Sequence, residues 1–414
     1  MSHLLLDTFR RIKRADAGYP RPFKFLFWGT LANRVGTSML WPFLTIYMRE
    51  RLDVPLTTIT VLLALHSAAA VVGVSVAGPT VDRFGRKGAM ILSLLVAAIV
   101  LSVMIVADTI TTWGVLLVIQ GACTPLYRVG AHAMVADLIE EERRAGAYAL
   151  LRMVANLGIA VGPAAGGFVT TVSYSLAFVV AAGANFLFAL LILFLVSETM
   201  PQRRAASTSF ALFEAYHRIL RNRPFLAFCG LNVLAGIAYS LVMILLPVYA
   251  KDNFGIQESQ YGFIMSTNAA MVVMFQYHVT RIAGRYHHLP VLAVGSLFYA
   301  LGVGSVAWGG SFFAFLVSMV ILTIGEMLSM PTSTALTANL APPAMRGRYL
   351  SFYALTWEIA YGIGPVVGGV LNDNVAPAAI WYGGLVIGLV AALGFVLLFI
   401  LLKRRRTYDQ SATV

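Results

Sequence analysis

Charged residues fall in short clusters along this chain, and between the clusters run stretches with none: 54–81, 89–107, 153–197, 224–250, 259–280, 286–325 and 374–402. A helix that crosses a bilayer needs about 20 mostly apolar residues, so 153–197 and 286–325 each hold more than one. Threading the whole chain this way predicts twelve spans, near 23–47, 54–81, 89–107, 112–138, 146–171, 174–196, 224–250, 259–280, 289–308, 312–340, 348–371 and 379–402. The expected fold is an all-α polytopic membrane protein.

One stretch is written twice. At an ungapped offset of 202, residues 136–169 meet 338–371 with seven identities in 34 positions, aligning Arg144 with Arg346 and Gly162, Pro163, Gly166 and Gly167 with Gly364, Pro365, Gly368 and Gly369. The chain is therefore expected to be one unit duplicated. That gives two pseudo-symmetric six-helix bundles, 23–197 and 224–402, with a lead-in 1–22, a linker 198–223 and a tail 403–414. The linker is expected to hold a short amphipathic helix near 210–220. In both copies the Gly-Pro-x-x-Gly-Gly run lies inside the apolar segment. There the proline removes a helical donor and the glycines let another backbone approach, which packed neighbours tolerate in a membrane helix. A packing kink and a functional hinge are both open.

Composition places the chain in the membrane independently. With 59% hydrophobic and 12% charged residues over 414 positions, and a mean hydropathy of +0.80, a soluble protein would lack polar surface. A net charge of +12 would suggest nucleic acid in a soluble chain, but its distribution points elsewhere. Of the 30 Lys and Arg, Arg49, Arg51 and Lys251 fall on one side, Arg34, Arg128 and Arg152 inside spans, and the other 24 on the side of the termini. Both termini are thus expected in the cytoplasm and the chain in the cell (inner) membrane, with no nucleic-acid partner. Cys123 and Cys229 both lie in spans, so no disulfide framework is expected.

The turn after the second span reads Gly78-Pro79-Thr80-Val81-Asp82-Arg83-Phe84-Gly85-Arg86-Lys87-Gly88. Its glycines allow a tight connection and its basic cluster pins it inside, while Asp82 can cap a helix or pair with an arginine. A merely topogenic turn would carry the same residues. From Gly78 to Lys87 the pattern Gly-x-x-x-Asp-Arg-x-Gly-Arg-Lys resembles the signature loop of the major facilitator superfamily. The second-half turn at 281–285 has no aspartate, so any role of Asp82 belongs to the first half. Arg128 within the fourth span resembles a second motif of that superfamily. Gly158-x-x-x-Gly162-Pro163-x-x-Gly166-Gly167 resembles the motif associated with export by antiport. Arg152 and Asn156, one turn apart, precede it.

The resemblance covers the whole chain and is nearest to proton-coupled multidrug exporters. It implies secondary active transport by alternating access, with a proton gradient as energy source, no cofactor, no metal and a monomer in the lipid bilayer. Gly78, Asp82, Arg83, Gly85, Arg86 and Lys87 would form a conformational gate, and the two glycine-proline runs the packed hinges. Charges inside spans need water or one another. Glu326, one turn or so before Pro331 in the tenth span, is the first expected proton-coupling residue, with Glu358 and Asp137 beside it. Arg34, Arg128, Arg152, Asn156, Trp41, Tyr127, Tyr239, Phe275 and Trp357 are the expected lining of a substrate cavity suited to lipophilic or cationic small molecules. A nutrient symporter and a lipid flippase share these features. A membrane enzyme or a channel fits less well: His66, His132, His278, His287 and His288 show no metal-ligand clustering beyond the adjacent pair His287 and His288, and no phosphate-cradling loop is present.

Overall fold

The computed structural model describes residues 18–200, 218–342 and 345–411. Twelve spans run back and forth between two faces, which we name the terminal face, where the first span begins and the last one ends, and the distal face. Span 1 is broken: helix Arg21–Leu40 passes through a 3₁₀ turn at Trp41–Phe43 into helix Leu44–Leu52. Pro42, inside the turn, has no N–H to give to the helical ladder, which explains the break. Spans 2 to 6 are Leu56–Phe84, Arg86–Met104, Ile110–Leu138, Glu141–Val172 and Tyr174–Leu195. Spans 7 to 12 are Arg223–Phe254, Glu258–Ala283, His288–Val306, Phe312–Leu340, Arg346–Asn374 and Ala379–Ser411.

Polar residues just ahead of the apolar runs stop and start these helices. The side chains of Thr109, Ser173, Asn222 and Ser311 accept from the backbone N–H three residues on and so cap spans 4, 6, 7 and 10. One boundary differs widely from the sequence expectation. Span 12 continues as helix to Ser411 instead of ending at the basic cluster, since Lys and Arg are good helix formers and suit a helix C-terminus. The helix expected near 210–220 falls mostly outside the described residues.

Ten of the described helices are long and apolar enough to cross a membrane. Of the twelve spans, the two left over are span 1, cut by its 3₁₀ turn, and span 8, which carries Asn268 and Gln276 within it. The glycine runs set the packing of each half. A Cβ at Gly158, Gly162 or Gly166 would run into span 1 at Arg34, Ser38 or Met39, and one at Gly364 or Gly368 into span 7 at Ser240 or Leu245. The last glycine of each run touches the other half instead. Gly167 lies against Glu258, Ser259 and Gly262 of span 8, and Gly369 against Thr57 and Thr60 of span 2.

The apolar core follows the same division. Phe23, Phe27, Met90, Met134 and Phe188 form a cluster confined to the terminal end of the first half. A larger one joins the distal end of the first half, through Phe43, Tyr47 and Phe178, to the second half at Leu245, Tyr249 and Tyr261. Among the described residues the halves therefore share a core at the distal face and keep separate cores at the terminal one.

Candidate functional site

Glu326 sits halfway along span 10, about 21 Å of helix from either end. It is ringed by protein yet retains some solvent access, as a residue lining the space between the halves would. Asn268 of span 8 donates to its Oε2 at 2.7 Å and to Thr323 at 3.0 Å, and the Tyr239 side chain lies beside it. Among the described residues no cation lies within ion-pair distance of it. Around this carboxyl stand the rings of Tyr239, Tyr299, Trp357 and Tyr361, with Tyr239 5.3 Å from Tyr299 and 5.8 Å from Trp357. Trp357 Nε1 donates to the Tyr353 hydroxyl at 3.1 Å, which fixes the indole. Phe275, two turns beyond Asn268 on a similar side of span 8, is exposed.

Across the cleft the first half presents arginine. Tyr127 and Thr30 share a hydroxyl hydrogen bond at 2.7 Å, which sets spans 1 and 4 in register. One turn above Thr30, Arg34 lies close enough to Tyr127 and Arg128 to interact with both electrostatically. Arg34 Nε is buried without a hydrogen-bond partner, and Arg128 is exposed to the cleft side of span 4. Glu358 of span 11 is within electrostatic reach of Arg128 but not in an ion pair with it. Arg152 and Asn156 are exposed on span 5. Trp41 lies against His66 with ring centres 5.3 Å apart and planes tilted by 51°, nearer the distal end of the cleft.

The expected gate at the terminal face is built within one half. Arg86 is 2% exposed and pairs with Asp137 at 3.0 Å and with Asp82 at 3.4 Å, while Asp82 itself is 69% exposed. The structure thus puts Asp137 in this buried ion pair, apart from the mid-depth acids with which it was grouped. Arg83 lies over the ring of Phe84, and Gly78 has open space where a side chain would be. Gly85 has φ of 85°, a conformation that favours glycine. Beside it the Glu198 carboxylate accepts from the backbone N–H of Arg86 at 3.1 Å and of Lys87 at 3.0 Å, and so caps span 3. Lys87 Nζ donates to the Leu193 carbonyl at 2.7 Å.

The distal face is latched across the halves. Lys251 pairs with Glu50 at 2.5 Å and with Glu258, and the Tyr174 hydroxyl donates to Glu258 at 2.5 Å. Burial alone would push the Glu258 carboxyl up, but the bonds from Lys251 and Tyr174 outweigh it and hold it below its ordinary value. Asp373 accepts from the N–H of Leu56 at 3.3 Å and of Thr57 at 2.7 Å, capping span 2 from span 11. Arg49 and Asp252 approach to 3.8 Å. Among the described residues no hydrogen bond or ion pair joins the halves at the terminal face. Among the described residues the polar links between the halves thus gather at the distal face.

Sequence reasoning missed Asn268, Tyr361, Glu198 and the Glu258 latch. Asn268 left a signal, since a carboxamide inside an uncharged run needs a partner. Glu198 and Glu258 left none, because each reads as an ordinary charge at the end of a span.

Comparison with known proteins agrees with this architecture. The sequence model of the Major Facilitator Superfamily matches residues 26–237 and 228–413. The chain is 26% identical to a Na(+), Li(+), K(+)/H(+) antiporter of Planococcus maritimus, over 87% of this chain and 91% of that one. It is 25% identical to multidrug resistance protein MdtH of Shigella boydii serotype 4 (strain Sb227), over 72% of each. The crystal structure of nucleoside transporter NupG superposes with a TM-score of 0.78 at 15% identity, over 92% of this chain and 99% of that one. That likeness shows the fold.

Proposed function

The chain belongs to the Major Facilitator Superfamily, and from that premise we propose that this transporter exports lipophilic small molecules in exchange for protons. The observation that carries the reading is Glu326: an acid at mid-depth, hydrogen-bonded to Asn268, between two halves whose polar links, among the described residues, gather at the distal face. A carboxyl with neutral partners and no counter-ion can hold a proton in one state of the cycle and release it in another. The names of two relatives, an antiporter and a multidrug resistance protein, support exchange and efflux.

With the terminal face in the cytoplasm, as the distribution of Lys and Arg favours, the described state is open inward. Cargo enters the aromatic space beside Trp357 and Tyr361. The halves then rock about the packed glycine runs, the distal latch parts, and Asp82 with Arg86 comes to bear on the second half at the closing terminal face. A proton taken up from outside by Glu326 resets the cycle. The test is dye movement in inverted vesicles and in whole cells that make the protein. Accumulation in inverted vesicles on acidifying their lumen supports export; accumulation in whole cells instead makes the protein an importer.

A further inference from the structure

Resting on the transporter reading above, we propose that Arg34 and Arg128 form a subsite for an anionic group, so that the cargo is an organic anion with an apolar body. The charge balance of the cleft is the first observation. The charged groups at mid-depth that stand around the cleft are Arg34 and Arg128 on the first half and Glu326 and Glu358 on the second. With both glutamates ionised the four charges balance, and protonating either one leaves the cleft positive. The first-half wall carries the two arginines in every protonation state, so it attracts an anion and repels a cationic cargo.

The second observation is that these arginines are unspent. Among the described residues neither Arg34 nor Arg128 has an ion-pair or side-chain hydrogen-bond partner, although the two lie within electrostatic reach of each other. Arg34 also keeps a buried Nε with nothing to donate to. The nearby polar groups are committed elsewhere. Tyr127 is bonded to Thr30, and Glu326 to Asn268. Glu358, the one acid that reaches Arg128, stops short of an ion pair. Two neighbouring guanidinium groups, one partly desolvated, are costly when empty and favourable around an anion. Their planar forks fit the paired oxygens of a carboxylate, phosphate or sulfonate.

The third observation is what faces them. The opposite wall offers the rings of Trp357 and Tyr361, backed by the buried Tyr239, an apolar surface for the body of the same molecule. One end of the cargo is thus selected by charge and the other by aromatic contact.

The test is the melting temperature of the full chain in neutral detergent, titrated with three matched probes: 2-naphthoate, 2-naphthamide and 2-naphthylmethylammonium. Inorganic phosphate serves as a bodiless anion. Naphthoate is expected to stabilise the protein with an apparent affinity at least about tenfold above naphthamide, and the ammonium to give no shift. Arg34→Gln and Arg128→Gln should each erase the naphthoate advantage and leave the naphthamide response. Arg128→Lys, which keeps the charge, should retain a reduced preference, so a folding defect is separable from loss of the subsite. A larger shift with the ammonium, or none with any anion, overturns the proposal. Phosphate alone matching naphthoate overturns the part that assigns an apolar body. Transport is read separately in proteoliposomes, so a protein that binds naphthoate and moves nothing keeps the subsite and loses the transport reading.

Discussion

Ser38 and Ser240 do the same work in the two halves. The first donates to the Gly158 carbonyl at 2.9 Å and the second to the Ala360 carbonyl at 3.3 Å, and each residue stands 202 positions from its counterpart. The duplication read around 136–169 therefore extends to the helices that those glycines pack on. Each serine sits where Gly162 or Gly364 lets two backbones close.

Enlarging that contact should cost stability in both halves. Gly162→Leu and Gly364→Leu each force a side chain onto a serine, and overpacking of this kind costs about 1–3 kcal/mol. Thermal unfolding in detergent should show both variants melting below the parent. An unchanged melting temperature in either would mean that its hinge is loose.

The outer glycines of the runs should act on the equilibrium between states instead. Gly167 and Gly369 touch the other half in the distally latched state described here, so Gly167→Val and Gly369→Val should hold the distal face apart. Spin-label distances across the distal face are expected to lengthen in both variants. The parent distribution in both would remove these contacts from the closure.

Acid at the distal face should release the latch. The Glu258 carboxyl is held below its ordinary value of 4.5 in the shut state; once the latch is open and wet, it returns toward that value. A lowered value stabilises the shut state fully above the ordinary value, and the contribution is lost as pH falls through the lowered one. Distal opening should rise below about pH 4.5, and Glu258→Gln should flatten that dependence. A parent whose opening is the same at pH 4 and pH 7 would contradict the latch.

At the terminal face two aspartates on one arginine should behave differently. Asp137→Asn leaves the buried Arg86 without its closer partner and should destabilise the protein by about 3–5 kcal/mol. Asp82 is mostly exposed, so Asp82→Asn should cost about 0–1 kcal/mol and instead leave the terminal face open more often. Denaturation in mixed micelles measures the first, and distances across the terminal mouth measure the second. Equal destabilisation by the two would contradict the division of labour.

The spans were legible because a bilayer leaves few alternatives: uncharged runs of sufficient length become helices. The duplication was legible because glycine and proline cannot be exchanged freely where backbones touch. What stayed hidden depends on contacts between residues far apart in sequence. Pro42 in span 1 gave no warning that the helix would tighten into a 3₁₀ turn, since many membrane helices carry a proline unbroken, as span 5 does at Pro163. Asp137 ends span 4 as a plain acid, and only the return of Arg86 beside it turns it into half of a buried pair. Glu198 caps span 3 from the end of span 6, a relation that no local pattern announces.

The most direct measurement concerns Glu326. Glu326→Gln keeps the size and a hydrogen-bonding partner for Asn268 but cannot take up or release a proton. In proteoliposomes with an imposed pH step, the parent should drive cargo against its gradient, and the variant should lose that uphill movement while still exchanging labelled for unlabelled cargo at equilibrium. Uphill transport by the variant at the parent's rate would contradict the account, and its loss in Glu358→Gln alone would move the proton site to span 11.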